Sequence, residues 1–296
     1  MAEMLSEPTT LETPTFVIDA EERAKILDLK DLRQYRDLLF FLVWRDVKSL
    51  YAQTVLGFGW AIIRPVFNMV IMSLVFGMLA KVPSNGIPYP LFSYAAQLPW
   101  IYFSTALSAS TASMIAGGNL LSKVYFPRIF MPLTPILTGL VDLLIASLVM
   151  IAMMFWYKVP LSWNILLLPI PLFLMVLTSA GFGFWLSALA VQFRDVKHGV
   201  QFMSTLLMYA SPVIYPASLI AEKFPQYGQI FREIYALYPI VGVIEGFRAC
   251  LVGPAAAPPM AMPWDLIGIG YVSGFILAAT GLVYFKFRER VFADVA

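Results

Sequence analysis

Few residues in this 296-residue sequence could do chemistry. Asp142 stands in the apolar run LVDLLIASLVM. An acid there could carry a coupled proton or cation, or it could hydrogen-bond a neighbouring helix. A single acid without a charged relay partner favours the structural role. Glu245 and Arg248 lie three residues apart, the spacing that lets two side chains pair on one helix face, and they are read as an outer gate. The segment Gln192-Phe193-Arg194-Asp195-Val196-Lys197-His198 is short and charged, and it is either a docking knob for a soluble partner or a solvated connector. Aromatic residues, among them Trp60, Trp100, Tyr102, Phe103, Tyr125, Phe126, Trp185, Tyr209 and Tyr215, offer flat faces suited to the C–H surfaces of sugars. They equally suit the interfacial belt of any membrane protein. Asn68, Gln97 and Asn119 could line a polar path or bridge helices.

Other chemistries lack their residues. No glycine is followed by lysine, so the phosphate-cradling P-loop has no home here and ATP-driven work needs another subunit. The GxSxG and HExxH signatures of hydrolases are missing as well. One cysteine, Cys250, and one histidine, His198, exclude an internal disulfide framework and a Cys-based zinc site, and argue against a His-based metal centre. No cofactor is expected in this chain, and a net charge of +2 suggests no nucleic-acid partner.

The elements that must hold these residues are membrane helices. The chain is 60% hydrophobic and 13% charged, against roughly 45–50% and about 25% in soluble domains. Its mean hydropathy is +0.77. Residues 1–28 read as a polar cytoplasmic tail and not as a signal peptide, since they lack a basic start and an apolar core. Within 29–58, Leu32, Tyr35, Leu39, Leu42, Val43, Val47 and Leu50 recur at helical spacing with Arg33, Asp37, Arg45 and Lys48 between them. That pattern predicts an amphipathic interfacial helix lying apolar side down.

A transmembrane domain is expected over 59–290. Its spans fall near 61–80, 91–116, 129–156, 165–191, 200–216 and 264–285, with an outer re-entrant segment at 217–253 and a cytoplasmic C-terminus at 291–296. Six spans leave 15 lysines and arginines on the side of both termini. The other side holds 5: Lys81, Lys158, Lys223, Arg232 and Arg248. Both termini are therefore expected in the cytoplasm. A seventh span over 234–252 would reverse the C-terminus and bury Glu245 and Arg248, so a re-entrant pair of helices fits better. The fold class is all-α integral membrane, with six spans, an N-terminal interfacial helix and short re-entrant outer helices.

Five segments in this order resemble the membrane subunits of type-2 ABC exporters of bacterial cell-surface polysaccharides. They are YRDLLFFLVWRDVKSLYAQTVLGFGWAIIRP, LLSKVYFPRIFMPL, VQFRDVKHGV, SPVIYP and YPIVGVIEGFRACLVG, and they run from about 31 to 290. SPVIYP and FRDVKH look closer to the O-antigen and teichoic-acid branch than to the group-2 capsule branch. The resemblance implies a bacterial inner-membrane location and a second copy of the chain. It also implies two copies of a P-loop ATPase that bind ATP and Mg, and a lipid-linked polysaccharide as substrate. Contact with the ATPase would fall to Phe193, Arg194, Asp195, Val196, Lys197 and His198, and to the 31–57 helix with Arg45 and Lys48. The polysaccharide path would be bordered by spans one and five and the outer segment, and among the aromatics Trp60, Trp100, Tyr102, Phe103, Tyr209 and Tyr215 are the candidates to line it. The alternatives are an exporter of a drug or lipid, a proton-coupled carrier using Asp142, and a membrane enzyme acting on lipid-linked sugars.

Overall fold

A computed structural model describes residues 29–52, 57, 59–121, 123, 125–160, 162–223 and 227–289, so the expected polar tail over 1–28 and the C-terminus beyond 289 lie outside the described residues. The described chain is helical, with no strand among those residues. The helices are α1 (Leu29–Gln34), α2 (Arg36–Tyr51), α3 (Gly59–Met72, continuing as a π-helix over Ser73–Leu79), α4 (Tyr89–Ala116), α5 (Gly118–Leu121), α6 (Phe130–Trp156), α7 (Pro169–Gln192), α8 (Val196–Ala210), α9 (Ser218–Lys223), α10 (Gly228–Ala236), α11 (Pro239–Leu251) and α12 (Trp264–Arg288).

Among the described residues, four helical stretches are long and apolar enough to cross a membrane: Gly59–Leu79, Phe130–Trp156, Trp163–Gln192 and Trp264–Arg288. They coincide with the expected first, third, fourth and last spans. The expected second span is the 28-residue α4. It does not reach the same apolarity, because it is the central helix of the bundle and shields its Ser, Thr and Gln side chains from lipid. The expected fifth span differs more. Helix α8 begins at Val196 and stops at Ala210, where the chain turns. Its 15 residues rise about 22 Å, short of the roughly 30 Å hydrocarbon core. In the expected re-entrant segment, α10 and α11 meet at 101°.

Helix α4 packs against α3, α6, α7, α8 and α11. Two tyrosines fasten it to α6, with the Tyr94 hydroxyl donating to Ala146 O and that of Tyr102 to Ile136 O, each at 2.9 Å. Helices α7 and α12 approach backbone to backbone. A Cβ on Gly281 would lie 2.6 Å from Gly181 O, so only glycine fits there. Close approach of small residues is how helices associate without a hydrophobic drive between them. Trp185 closes the seam by stacking on Tyr284 with ring centroids 4.3 Å apart and donating Nε1–H to Thr280 Oγ1 at 3.2 Å.

The Glu245–Arg248 pair sits inside the protein. Arg248 is fully buried and Glu245 only 4% exposed. The guanidinium donates from Nη1 to Glu245 Oε1 at 2.9 Å and to Tyr215 O at 3.3 Å, from Nη2 to Val213 O at 2.9 Å, and from Nε to Phe92 O at 3.5 Å. Its centre lies 3.6 Å from the centroid of the Phe92 ring. Glu245 Oε1 also accepts from Ala217 N at 2.9 Å. One buried charge pair thus ties α11, the start of α4 and the 211–217 turn together. The two residues expected as an outer gate are held together as a buried staple. Breaking such a pair from one side leaves an uncompensated buried charge, a loss of roughly 3–5 kcal/mol.

Arg248→Met should therefore lower the melting temperature of the detergent-solubilised protein sharply. The double variant with Glu245→Gln should recover part of that loss, because no orphan carboxylate remains. A wild-type melting curve for Arg248→Met would refute the staple. Gly281→Val should force α12 off α7 and abolish a monodisperse peak in size-exclusion chromatography.

Candidate functional site

One end of the bundle gathers the residues read as docking features. The carboxyl ends of α4, α7 and α12 meet the start of α6 there in one cluster, Met114, Phe126, Phe130, Phe184, Ala188 and Phe285, and Leu42 of α2 packs into it. The docking segment follows directly, since α7 ends at Gln192. Only Phe193, Arg194 and Asp195 link α7 to α8, whereas Val196, Lys197 and His198 form the first turn of α8. The knob is thus a three-residue turn and a helix start. Asp195 O accepts from His198 N and Gly199 N at 3.0 and 2.9 Å, fixing that turn. Phe193, Arg194, Asp195, Lys197 and His198 are exposed, while Val196 packs inward against the cluster around Leu107 and Val200.

Helix α2 carries apolar residues on more than one face. Leu42 and Val47 are buried, while Phe40, Phe41 and Trp44 stand exposed beside Arg45 and Lys48. Arg45 pairs with Asp46 at 2.8 Å, and Lys48 lies over the Trp44 ring at 5.5 Å. The far end of α2 reaches α6, where the Tyr51 hydroxyl donates to the Asp142 carboxylate. Asp142 lies twelve residues beyond Phe130, so α2 runs along α6 and does more than cover a surface. This contact gives Asp142 a helix-bridging partner.

The second feature is a cleft of about 610 Å³ between α3, α4 and α8, walled by Trp60, Phe67 and Trp100 and carrying Arg64, Asn68 and Gln97 among its polar lining. Helix α3 is almost uncovered along its length. Helix α8 also presents Phe202, Met203, Leu206 and Tyr209 outward. The polar members differ in how they are satisfied. Ser104 and Thr105, which also line the cleft, donate back to carbonyls of their own helix. Gln97, 3% exposed, has neither amide atom paired. A buried polar group without a partner costs about 1–3 kcal/mol.

The structure separates the six aromatic residues expected along a path. Trp60 and Trp100 face the cleft. Tyr209 and Tyr215 sit at the end of α8, where the Tyr215 hydroxyl donates to Tyr209 O at 3.2 Å and that of Tyr235 to Ala210 O at 2.7 Å. Tyr235 is a member of this group that the sequence reading missed, because only the fold brings α10 to the end of α8. Tyr102 and Phe103 lie in the core, the first bonded to α6 and the second packed on Trp100 and Phe182 at 5.8 Å. Among the described residues no three His, Cys, Asp or Glu side chains come together as a metal site.

Residues 37–252 match the ABC-2 type transporter family. The chain is 30% identical over 270 residues to the O-antigen export system permease protein RfbA of Myxococcus xanthus, covering 90% of this chain and 98% of that protein. It is 29% identical over 262 residues to the RfbA protein of the same description from Klebsiella pneumoniae, covering 88% and 95%. The polysialic acid transport protein KpsM of Escherichia coli is 20% identical over 260 residues, covering 84% and 92%. An uncovered first apolar helix, a cleft beside it and a match through most of the length lead to one assignment: this membrane protein belongs to the ABC-2 type transporter family.

Proposed function

We propose that this chain is the permease subunit of an ABC exporter that moves a lipid-linked, O-antigen-like polysaccharide across the bacterial cytoplasmic membrane. The observation that carries the reading is its alignment, nearly end to end, with permeases described as O-antigen exporters. The lower identity to the polysialic acid transport protein favours the O-antigen side over the capsule side.

In this reading the chain works as one of two copies. The bare faces of α3 and α8 support that, because apolar helix surface bordering a cleft invites a second copy to close the path. Six crossings follow if α4 counts as the second, the protected helix of the bundle, and α8 with the 211–216 turn as the fifth. The bent pair α10–α11 is then the outer re-entrant segment. Both termini lie in the cytoplasm by the positive-inside rule.

A long sugar chain cannot be enclosed, so the path must be continuous and bind weakly many times. Trp60, with Tyr209 and Tyr215 further along, suits that task, whereas Trp100 backs the cleft from the core. Tyr102 and Phe103 are outside this part of the proposal because the core occupies their rings. Two copies of a separate P-loop ATPase would bind ATP and Mg and grip the exposed Phe193–His198 turn and the Arg45–Lys48 face. Both features belong to the same end of the bundle, and through Leu42 and Tyr51 helix α2 reaches the core and α6. Closure of the ATPase dimer would then pull on α6 and α8 together. The lipid tail would leave sideways near α3.

Purification of the tagged chain from native membranes should bring down a stoichiometric P-loop ATPase, and deletion of the gene should strip the long glycan from the cell surface. A chain that comes down alone under conditions preserving known complexes would overturn the exporter reading. Arg194→Glu should leave the protein folded yet reduce surface glycan roughly tenfold or more, the scale of a lost coupling contact. Normal surface glycan would remove Arg194 from the docking role. Asp142→Asn keeps an acceptor for Tyr51 and should export at close to the wild-type level, whereas a complete loss would favour the proton-coupled carrier.

A further inference from the structure

The cleft contains a buried polar side chain without a partner. Gln97 is buried in the third turn of α4, flanked in sequence by Ala96 and Leu98, and neither its amide oxygen nor its amide nitrogen has a partner. The neighbouring hydroxyls of Ser104 and Thr105 are already committed to backbone carbonyls. A leucine or methionine at 97 would fill the same space without the desolvation penalty. The amide therefore answers to something that enters the cleft.

The chemistry of the walls says what that is. A carboxamide offers two donors on nitrogen and two acceptor sites on oxygen, the complement of adjacent hydroxyls, which both donate and accept. Trp60 on the same cleft presents exposed indole surface, while Trp100 forms its buried back wall. Large apolar faces with one or two convergent polar groups make a site that orients a ligand without gripping it hard. Among the described residues that line it, Arg64 is the one that carries a charge. The cleft accordingly suits neutral or acidic sugars and disfavours sugars with a free ammonium group.

We infer that Gln97 is a hydrogen-bonding contact for the passing glycan, in a subsite where its amide takes sugar hydroxyls and Trp60 takes a ring face. The inference rests on the reading of this cleft as part of the polysaccharide path. It adds a sequence-independent polar contact to a path otherwise described by its aromatic residues.

The test uses the complex of the permease with its ATPase in nanodiscs. The probe is the lipid-free surface glycan of the source strain, released by mild acid and fractionated to short oligomers, and titrated against tryptophan fluorescence. Gln97→Met should weaken binding about tenfold, the loss of one or two hydrogen bonds. Its melting temperature should equal or exceed that of the wild type, because an unpaired buried amide has been removed. Gln97→Glu should discriminate further by weakening an acidic glycan more than a neutral one. If Gln97→Met melts lower than the wild type while binding and exporting normally, the amide is a structural contact satisfied in the assembled transporter, and the inference fails. If the wild-type complex carries the surface glycan but both variants bind oligomers as it does, the inference also fails while the export function stands. If deleting the gene leaves the surface glycan intact, the export reading itself fails and the subsite goes with it.

Discussion

The end of the bundle that holds the 211–217 turn depends on one buried charge. Arg248 is fully buried, and its planar fork is used in four directions: a carboxylate on its own helix, two carbonyls of the 211–216 turn and one carbonyl of α4. Inside a low-dielectric core such an arrangement is stable only when every donor is met. That requirement fixes where α8 may end. The turn after Ala210 cannot drift without orphaning the guanidinium, so α8 stays short and its last carbonyls come to rest under the Tyr215 and Tyr235 hydroxyls.

A short, firmly anchored α8 shapes the rest. On its inner side it packs on α4 through Val200 and Leu207, and on its outer side it leaves Phe202, Leu206 and Tyr209 bare. Helix α3 stands across from it with little covering. Between them lies the cleft, floored by α4. The most internal helix of the bundle therefore also supplies Gln97 and Trp100 to the wall. That dual position explains its composition, because α4 is protected enough to carry serine, threonine and glutamine and yet is presented to the cleft along one line.

The opposite end has a different logic. There α2 is clamped by Leu42 in an apolar cluster and by Tyr51 on Asp142, about nine residues apart along the same helix. A helix held at two points transmits displacement as a lever and not as a loose arm. The Phe193–Asp195 turn adjoins it in the fold through the end of α7. In the proposed reading, a force applied at that end would reach α6 through Asp142 and α8 through its first turn.

Much of this was legible in the residues themselves. Apolar runs of bilayer length marked four helices, because a lipid-facing helix must be apolar over most of its surface whatever its neighbours are. The spacing of Glu245 and Arg248 showed that they could pair, and the exposed charges at 194–198 marked a surface turn. Composition could not reveal which charges are inside. A charged pair three residues apart reads the same whether it guards an opening or pins a core, and only the carbonyls of Val213, Tyr215 and Phe92 converging on Arg248 made it a staple. Trp100 and Phe103 likewise share a helix and a residue class, yet one faces the cleft and the other faces Phe182. The apolar helices and the lack of a P-loop could be read from the residues alone, since these follow from side-chain solvation and short motifs. Only the tertiary structure decided which polar groups find partners, leaving Gln97 without one, because satisfaction of a buried group depends on contacts far apart along the chain.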